Sequence, residues 1–516
     1  MGENTFFITT PIYYVNDVPH IGHAYNAVAT DFIARHHRLR GEDVFHLTGT
    51  DEHGLKLQRA AEAQGFSPKD WVDSMEPRWR EVWERLDIAY DDYIRTTEPR
   101  HETVVAKLLE AVRGNGRDDI YLDSYEGLYC VPCEAYYNAE DLAEGELCPI
   151  HERPVEHLRE ENYFFRLSAY ADALLAHYAA NPDSVQPESR RNEVLSVIRG
   201  GLQDFSISRT SFDWGVPLPW DPDHVCYVWF DALANYITAA GYGDDPARFA
   251  ELWPANIHSI GKDILRFHAI YWPAMLMAAG LEPPKQVWAH GFLTVGGKKM
   301  SKTNATGIHP SELLDAFGVD AYRYYFVREI QFGADGNFSW ESMAERYKAD
   351  LSDGLGNLAS RVLAMLGKNF DGAVPDADDR GAAGSLPALA EDVARRYDEA
   401  MERVAITQAV GIVWELVAEA NRYLVETEPW KLVKAEGGLE RAAKVLYASA
   451  ETLRILAILI SPIMPSAAGR LWEQLGIPER LNDQRLGDAR WGGLRPGTVT
   501  TKGEALFPRL EEEEKP

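Results

Sequence analysis

Two histidines three positions apart, His20 and His23, flank Ile21 and Gly22 at what reads as the start of a helix. Imidazoles at that spacing share one side of a first helical turn, and Gly22 removes the side chain that would keep a phosphate off the backbone. A helix N-terminus adds its dipole and its unpaired N–H groups, so the chemistry suited to these residues is the holding of a phosphate under attack. Histidines in a first turn are commonly incidental, and the tetrapeptide gains weight only from residues far downstream. There, Lys299-Met300-Ser301-Lys302-Thr303 follows the glycine pair Gly296-Gly297. A loop with two lysines can close on a triphosphate and neutralise the charge that develops as pyrophosphate leaves, although a solvated basic turn is the commoner fate of such a loop.

A third constellation is metal-like. Cys130-Val-Pro-Cys133 and Cys148-Pro-Ile-His151 offer three thiolates and one imidazole, a set that suits one tetrahedral Zn²⁺. Four protein ligands leave no position for a substrate, so the metal would be structural. Unligated buried thiols are the alternative, disfavoured because three of the chain's four cysteines gather here. Cys226, in the apolar run Val225 to Phe230, reads as core.

Asp51, in the Gly-bearing loop Thr48 to Gly54, is a candidate for a substrate ammonium group, or equally a helix N-cap. Downstream, Gly261-Lys262-Asp263 ends an apolar strand and leads into a segment with Phe267, His268, Tyr271 and Trp272. Such an aromatic stripe is ordinarily packing. Trp229, Tyr236, His268 and Trp272 nevertheless belong to segments that a parallel sheet would bring to one edge.

These residues need a strand–loop–helix frame. An apolar, β-branched run from Thr5 to Thr10 precedes a loop with Pro11 and Asn16. An amphipathic helix follows, with Tyr25, Val28, Phe32 and Leu39 at helical spacing and Gly41 at its end. A second strand is expected from Asp43 to Leu47. The pattern breaks between about Asp118 and Asp223, where we place an inserted module of about a hundred residues. From Ala349 onward the spacing is helical throughout, with Ile406, Val410, Val413, Val417, Ala420 and Leu424 on one stripe and the Gly-, Asp- and Pro-rich piece Gly372 to Gly384 as a surface connection.

With 516 residues the chain exceeds one core, and 46% hydrophobic content fits a globular enzyme. No signal peptide or membrane-length apolar run is evident, and four cysteines point to a reducing cytoplasm. A net charge of −28 argues against a general nucleic-acid coat protein but not against a nucleic acid contacted through a local basic face.

The His20–His23 tetrapeptide and the Lys299–Thr303 loop together resemble the two ATP-binding motifs of class I aminoacyl-tRNA synthetases, with Thr303 where the family usually has serine. Ile12-Tyr13-Tyr14, Trp229-Phe-Asp-Ala232, Tyr236 and Ile264 through His268 narrow the resemblance to the methionyl-tRNA synthetases, over essentially the whole chain. The implied fold class is α/β: a Rossmann-like parallel-sheet catalytic domain split by a zinc-binding insertion and followed by an α-helical bundle. The implied segments are 1–117 and 225–298 for the catalytic halves, 118–224 for the insertion, 299–348 for the lysine loop and joint, and 349–516 for anticodon binding.

The resemblance implies that ATP and L-methionine form methionyl-adenylate, and that the methionyl group then passes to the 3′ end of tRNA(Met), initiator and elongator. It assigns catalysis to His20, His23, Lys299 and Lys302, and ATP binding to Gly22, Gly261, Lys262, Asp263, His290, Gly291, Met300 and Ser301. It surrounds methionine with Ile12, Tyr14, Asp51, Trp229, Ala232, Tyr236, Ile264, His268 and Trp272, where a polarizable thioether would meet aromatic edges. Tyr13 and Leu233 stand where bacterial relatives can carry proline, which leaves the pocket's shape open. It implies Mg²⁺ with ATP, one structural Zn²⁺ on Cys130, Cys133, Cys148 and His151, and no membrane association; a monomer is the default. Asn357, Arg361 and Trp430 match the anticodon-reading positions, where Asn and Arg can read base edges and Trp can stack on a base. Read without that match, Trp430 would be packed core and the bundle a scaffold. A small-molecule nucleotidylyltransferase with the same histidine loop would not need these three residues, and a non-catalytic tRNA-binding protein would not need the histidines and lysines.

Overall fold

Strand β1 (Thr5–Thr9) is buried along its whole length, the pattern of a strand covered on both faces of a parallel sheet. In the computed structural model, residues 4–130, 135–137, 142, 143, 145–149, 153–295, 298, 299 and 308–510 are described. The chain divides into two compact units, the first comprising Met1–Pro19, Val44–Trp83 and Tyr90–His290, the second His20–Asp43, Glu84–Ala89 and Gly291–Pro516.

The first unit is built on a seven-stranded sheet. Its members include β1, β2 (Tyr13–Tyr14), β3 (Asp43–Asp51) and β4 (Asp92–Arg95). β1 lies between β3 and the strand Ile257–Gly261, which is followed in turn by Val287–His290 and Val185–Gln186; β2 and β4 also pair with β3. The pairing of β1 with Ile257–Gly261 is parallel, in the register Ile8 to Ile257 and Thr9 to His258. The strands on one side of β1 all come from the chain before residue 100 and those on the other side from Val185 onward, which makes the carboxyl ends of β1 and Ile257–Gly261 the place where an open α/β sheet forms a crevice. The second strand is longer than Asp43 to Leu47, because Thr48, Gly49 and Thr50 continue it to Asp51. At Gly49 a Cβ would stand 2.0 Å from the Ile94 carbonyl oxygen, so only glycine lets β4 approach.

Within 118–224, a second sheet places Ala135–Tyr137, Ile120–Cys130, Glu156–Phe165 and Phe205–Ser206 side by side, all antiparallel. Val185–Gln186, from the same stretch, forms the edge of the main parallel sheet instead. Helices 171–180 and 188–200 add Leu174, Tyr178, Val194 and Ile198 to the main core.

The second unit contains helix α1 (Ile21–Arg40), closed by Gly41 in the left-handed conformation (φ 88°). Tyr25, Val28, Phe32 and Leu39 are buried as the spacing predicts, but so are Thr30, Asp31, His36 and His37. The helix is covered nearly all round rather than on one stripe, and its buried polar groups are paired to match. Asp31 accepts from Arg35 and from Arg323, and Arg323 also donates to the carbonyls of Leu86, Asp87, Pro462 and Ile463. His36 meets Asp398 at 3.1 Å and the Tyr397 ring edge-on.

Long helices at Leu386–Glu402, Ile406–Thr427, Leu439–Ile460 and Pro465–Leu475 form the C-terminal region. The expected stripe from Ile406 to Leu424 is buried. The helical pattern does not continue throughout, because residues 476–510 form only short turns. Nor is 372–384 merely a surface connection. Val374 is buried, and this segment exchanges main-chain bonds with the tail through Val374 to Thr498, Gly497 to Val374 and Thr500 to Gly372.

Candidate active site

The first turn of α1 is capped by its own histidines. His20 Nδ1 accepts the Gly22 N–H at 3.1 Å, and His23 Nδ1 accepts the His20 N–H at 3.3 Å. The rings stack with centroids 3.7 Å apart. A ring nitrogen that accepts a backbone N–H carries no proton, so each neutral imidazole keeps its proton on Nε2. This corrects the expected site of unpaired main-chain donors. The Ile21 N–H donates to the Ile308 carbonyl and that of His23 to the His20 carbonyl, which leaves imidazole N–H groups as the donors an anion would meet.

In the first unit, the candidate amino-acid pocket gathers at the carboxyl edge of the sheet. Tyr14 pairs with Asp51 in the β2–β3 register, and Asp51 is buried at the end of β3. Asp51 caps no helix, because the following helix Leu55–Ala63 starts after Gly54. The Tyr236 hydroxyl lies 2.8 Å from His268 Nε2, and the His268 Nδ1 side faces the Ile264 carbonyl at 3.0 Å. Trp229 stands edge-on to His268 and Trp272 tilts against Tyr236, each at about 6 Å between ring centroids. Trp229, half-buried, also stacks on Phe267 at 3.8 Å, while Ala232, Tyr236, His268 and Trp272 are buried and Ile12 and Ile264 half-buried. Burial lowers the His268 imidazole to about 4, only partly offset by its bond to Ile264, so at neutral pH this wall is polar but uncharged. Tyr13 turns to Trp79 and Trp83 and Leu233 enters the main core, so both act as packing.

Sequence reasoning missed His258, which stacks on Tyr236 at 4.0 Å and bonds Thr9 Oγ1 through Nδ1 at 2.9 Å. Its signal was a histidine set between Ile257 and Ile260 in a buried strand. Asp231 was also passed over: fully buried, it bonds His53 Nδ1 at 2.6 Å and His101 Nε2 at 2.7 Å. Burial would raise its carboxyl, but the two histidines outweigh that and hold it at about 2.

Gly261 and His290 are register partners at the ends of neighbouring strands. A Cβ on Gly261 would stand 2.6 Å from Asp263 Oδ1, so glycine leaves room for that carboxylate to fold back; Lys262 opens the same short turn and is half-buried. In the second unit, a Cβ on Gly291 would stand 2.2 Å from the Ala334 carbonyl oxygen, a backbone approach that by itself requires glycine. Lys299 pairs with Thr294 in a short antiparallel ladder, whereas Met300, Ser301, Lys302 and Thr303 lie outside the described residues.

Of the metal candidates, Cys130 and Cys148 are fully buried and share a small cluster with Val155, Leu128, Tyr137 and Leu142. Cys133 and His151 lie outside the described residues, and among those described no group of three potential ligands gathers. Two thiols converging beneath so few apolar side chains fit half of a Cys₃His set, since a cluster this small is a weak core by itself. Cys226 is buried core as expected, its thiol pushed well up by burial.

In the second unit, the Arg361 guanidinium lies over the Trp430 ring at 5.0 Å. Asn357 is exposed one turn before Arg361, and Trp430 is half-buried rather than packed core.

Comparison with known proteins bears on the whole chain. The family described as tRNA synthetases class I (M) matches residues 6–157 and 141–363, and the anticodon binding domain of methionyl tRNA ligase matches 374–516. The chain is 52% identical to a methionine–tRNA ligase of Streptomyces coelicolor, covering 99% of this chain and 98% of that one, and 44% identical to one of Thermotoga maritima, covering 98% and 80%. A solved structure of Mycobacterium tuberculosis methionyl-tRNA synthetase in complex with methionyl-adenylate is 45% identical, with a TM-score of 0.94 over 98% of this chain and 100% of that one. With family matches across both the sheet-based and helical regions, this chain belongs to the class I methionyl-tRNA synthetases.

Proposed function

We propose that this chain activates methionine with ATP, releasing pyrophosphate, and transfers the methionyl group to the 3′ end of tRNA(Met), both initiator and elongator. Ligase activity follows from the family; the residue roles are our reading. Methionine's own carboxylate attacks the α-phosphate, so no side chain acts as nucleophile and catalysis rests on positioning and charge stabilisation. His20 and His23 donate Nε2 protons to the triphosphate beside Gly22. Lys299 and Lys302 neutralise the departing pyrophosphate, and Met300 and Ser301 join them in binding ATP. Gly261, Lys262, Asp263, His290 and Gly291 receive the nucleotide. Mg²⁺ accompanies ATP and supplies further charge neutralisation on its phosphates.

Asp51 takes the α-ammonium group, with Ile12 and Tyr14 beside it, and Trp229, Ala232, Tyr236, Ile264, His268 and Trp272 enclose the thioether. The observation that carries this reading is a wall of aromatic rings and a neutral His268 near the end of the strand bearing Asp51. Such a wall suits a polarizable, uncharged side chain and would reject a charged one.

Structural Zn²⁺ on Cys130, Cys133, Cys148 and His151 would stabilise the 118–224 insertion between catalytic halves 1–117 and 225–298. Residues 299–348 would form the lysine loop and joint, and 349–516 would read the anticodon through Asn357, Arg361 and Trp430. A cytoplasmic monomer completes the proposal. Among the described residues no helix is long and apolar enough to cross a membrane.

Pyrophosphate exchange with each of the twenty amino acids tests the reading. Exchange should be strongest with methionine and weak but measurable with homocysteine, since one methyl is worth about 1–3 kcal/mol. Preference for another amino acid, or none, would overturn it.

A further inference from the structure

We propose that Asp231, gripped by His53 and His101, is a positioning residue that fixes the span of the methionine pocket from its ammonium-binding end to its aromatic wall. The proposal rests on the pocket assignment above and adds what holds its two ends at a set separation.

Asp231 sits on the helix Val228–Leu233, between Trp229 and Ala232. Its carboxylate is fully buried; Oδ2 accepts from His53 Nδ1 at 2.6 Å and Oδ1 from His101 Nε2 at 2.7 Å. His53 lies two residues beyond Asp51, so the bond runs directly from the loop carrying the ammonium site to the helix carrying the wall. His101 belongs to the helix Pro99–Arg113, and its Nδ1 lies 3.3 Å from Thr238 Oγ1, two residues beyond Tyr236. One carboxylate thus ties together both flanks of the aromatic wall and the end of β3.

The loop itself has little freedom. Glu52 Oε1 accepts from Thr50 Oγ1 at 2.8 Å and from Arg95 Nε at 2.7 Å, and the Glu52 N–H donates to Thr96 Oγ1 at 2.9 Å. Trp214 receives the Gly54 N–H on its carbonyl at 3.1 Å, donates its indole N–H to the Glu52 carbonyl, and faces His53 edge-on. With the loop clasped on this side, the His53–Asp231 bond transmits its position to Trp229 and Ala232. A buried ionised carboxylate with two imidazole donors resists displacement, because moving either donor leaves charge without compensation in a dry site. A fixed span is what lets a pocket discriminate by side-chain length instead of yielding to a longer or shorter guest.

The test compares His53→Leu, which removes the donor, with His53→Asn, whose amide can occupy the Nδ1 position, and His53→Gln, which displaces it by a methylene. Pyrophosphate exchange gives kcat, KM for methionine and KM for ATP; ethionine, longer by one methylene, reports the span; thermal unfolding reports folding. In His53→Leu, KM for methionine should rise about tenfold or more and preference over ethionine should narrow, while KM for ATP stays within about twofold. His53→Asn should recover most of both losses. A merely structural role would instead lower Tm or active fraction and leave the methionine KM and the ethionine ratio in place, which would overturn the proposal. If His53→Leu does not fold, the Asn and Gln variants decide: equal methionine KM and equal ethionine ratios in the two also overturn it. Trp229→Ala serves as the separate control. An unchanged methionine KM there would refute the pocket assignment, whereas a raised one beside an unaffected His53→Leu would refute only the role of Asp231.

Discussion

At the scale of single residues, the two histidines of the first turn each carry two tasks, capping α1 through Nδ1 and offering an Nε2 proton, and a substitution can separate them. Asparagine is a strong N-cap but has nothing at the Nε2 position. His20→Asn should therefore melt within about a degree or two of the parent, as a retained cap predicts. Adenylate formation should meanwhile slow by about 2–4 kcal/mol, read in a single-turnover burst. Slowing that merely tracks lost stability would mean the imidazole is only a cap. His268 makes a pH prediction. Burial holds it at about 4, below its ordinary 6.5, so between those values the unfolded chain binds a proton that the folded one refuses. Its stabilising effect is complete above pH 6.5 and is lost as the pH falls towards 4, by up to about 3 kcal/mol. Denaturant titrations across that window should show stability falling with pH, and His268→Gln should flatten the fall. KM for methionine should show no inflection near 6.5; one there would mean a solvated ring.

At the scale of elements, residues 492–494 of the C-terminal tail are anchored on one buried carboxylate. Glu451, on helix Leu439–Ile460, accepts the N–H groups of Gly492, Gly493 and Leu494 and two bonds from Arg454. Glu451→Ala would strand a buried guanidinium and three main-chain donors, so a loss of about 3–5 kcal/mol is expected in denaturant unfolding. A loss under 1 kcal/mol would mean that water replaces the carboxylate. The insertion makes the other element-scale prediction. Elemental analysis of protein purified without added metal should give one zinc per chain, lowered by Cys148→Ser and untouched by Cys226→Ser, since Cys226 belongs to the main core. A folded, zinc-free insertion would show that the Cys/His spacing had been misread.

For the whole molecule, the proposal assigns two separable reactions to one chain. The residues proposed for methionine lie in the first unit, whereas Asn357, Arg361 and Trp430, proposed for the anticodon, lie in the second. Trp430 lies beneath a guanidinium at 5.0 Å and is only half-buried, which leaves ring surface for a base. Trp430→Ala should keep pyrophosphate exchange near its original rate while tRNA aminoacylation falls by about one to two orders of magnitude, the equivalent of about 1–3 kcal/mol for one lost stack. Equal losses in both reactions, or a loss of stability of about 3–5 kcal/mol, would identify a packing residue instead.

The sequence by itself determined what depends on local order. Apolar runs, a glycine stop at Gly41 and the stripe from Ile406 to Leu424 made strands and helices legible, because period and termination are properties of neighbouring residues. The paired motifs, with the pocket residues around Trp229 and His268, carried the family. Tertiary structure alone decided how buried polar groups are satisfied. Nothing in the spacing of His20 and His23 reveals that the first caps the Gly22 N–H and the second the His20 N–H, which removes those main-chain donors from an anion site. The all-round burial of α1 depends on partners as remote as Arg323 and Asp398. Asp231 looked like one charge in an apolar run, and only the fold brings His53 and His101 to it from two other elements. A hydrogen bond between residues far apart in the chain leaves no periodic trace, whereas a buried face does.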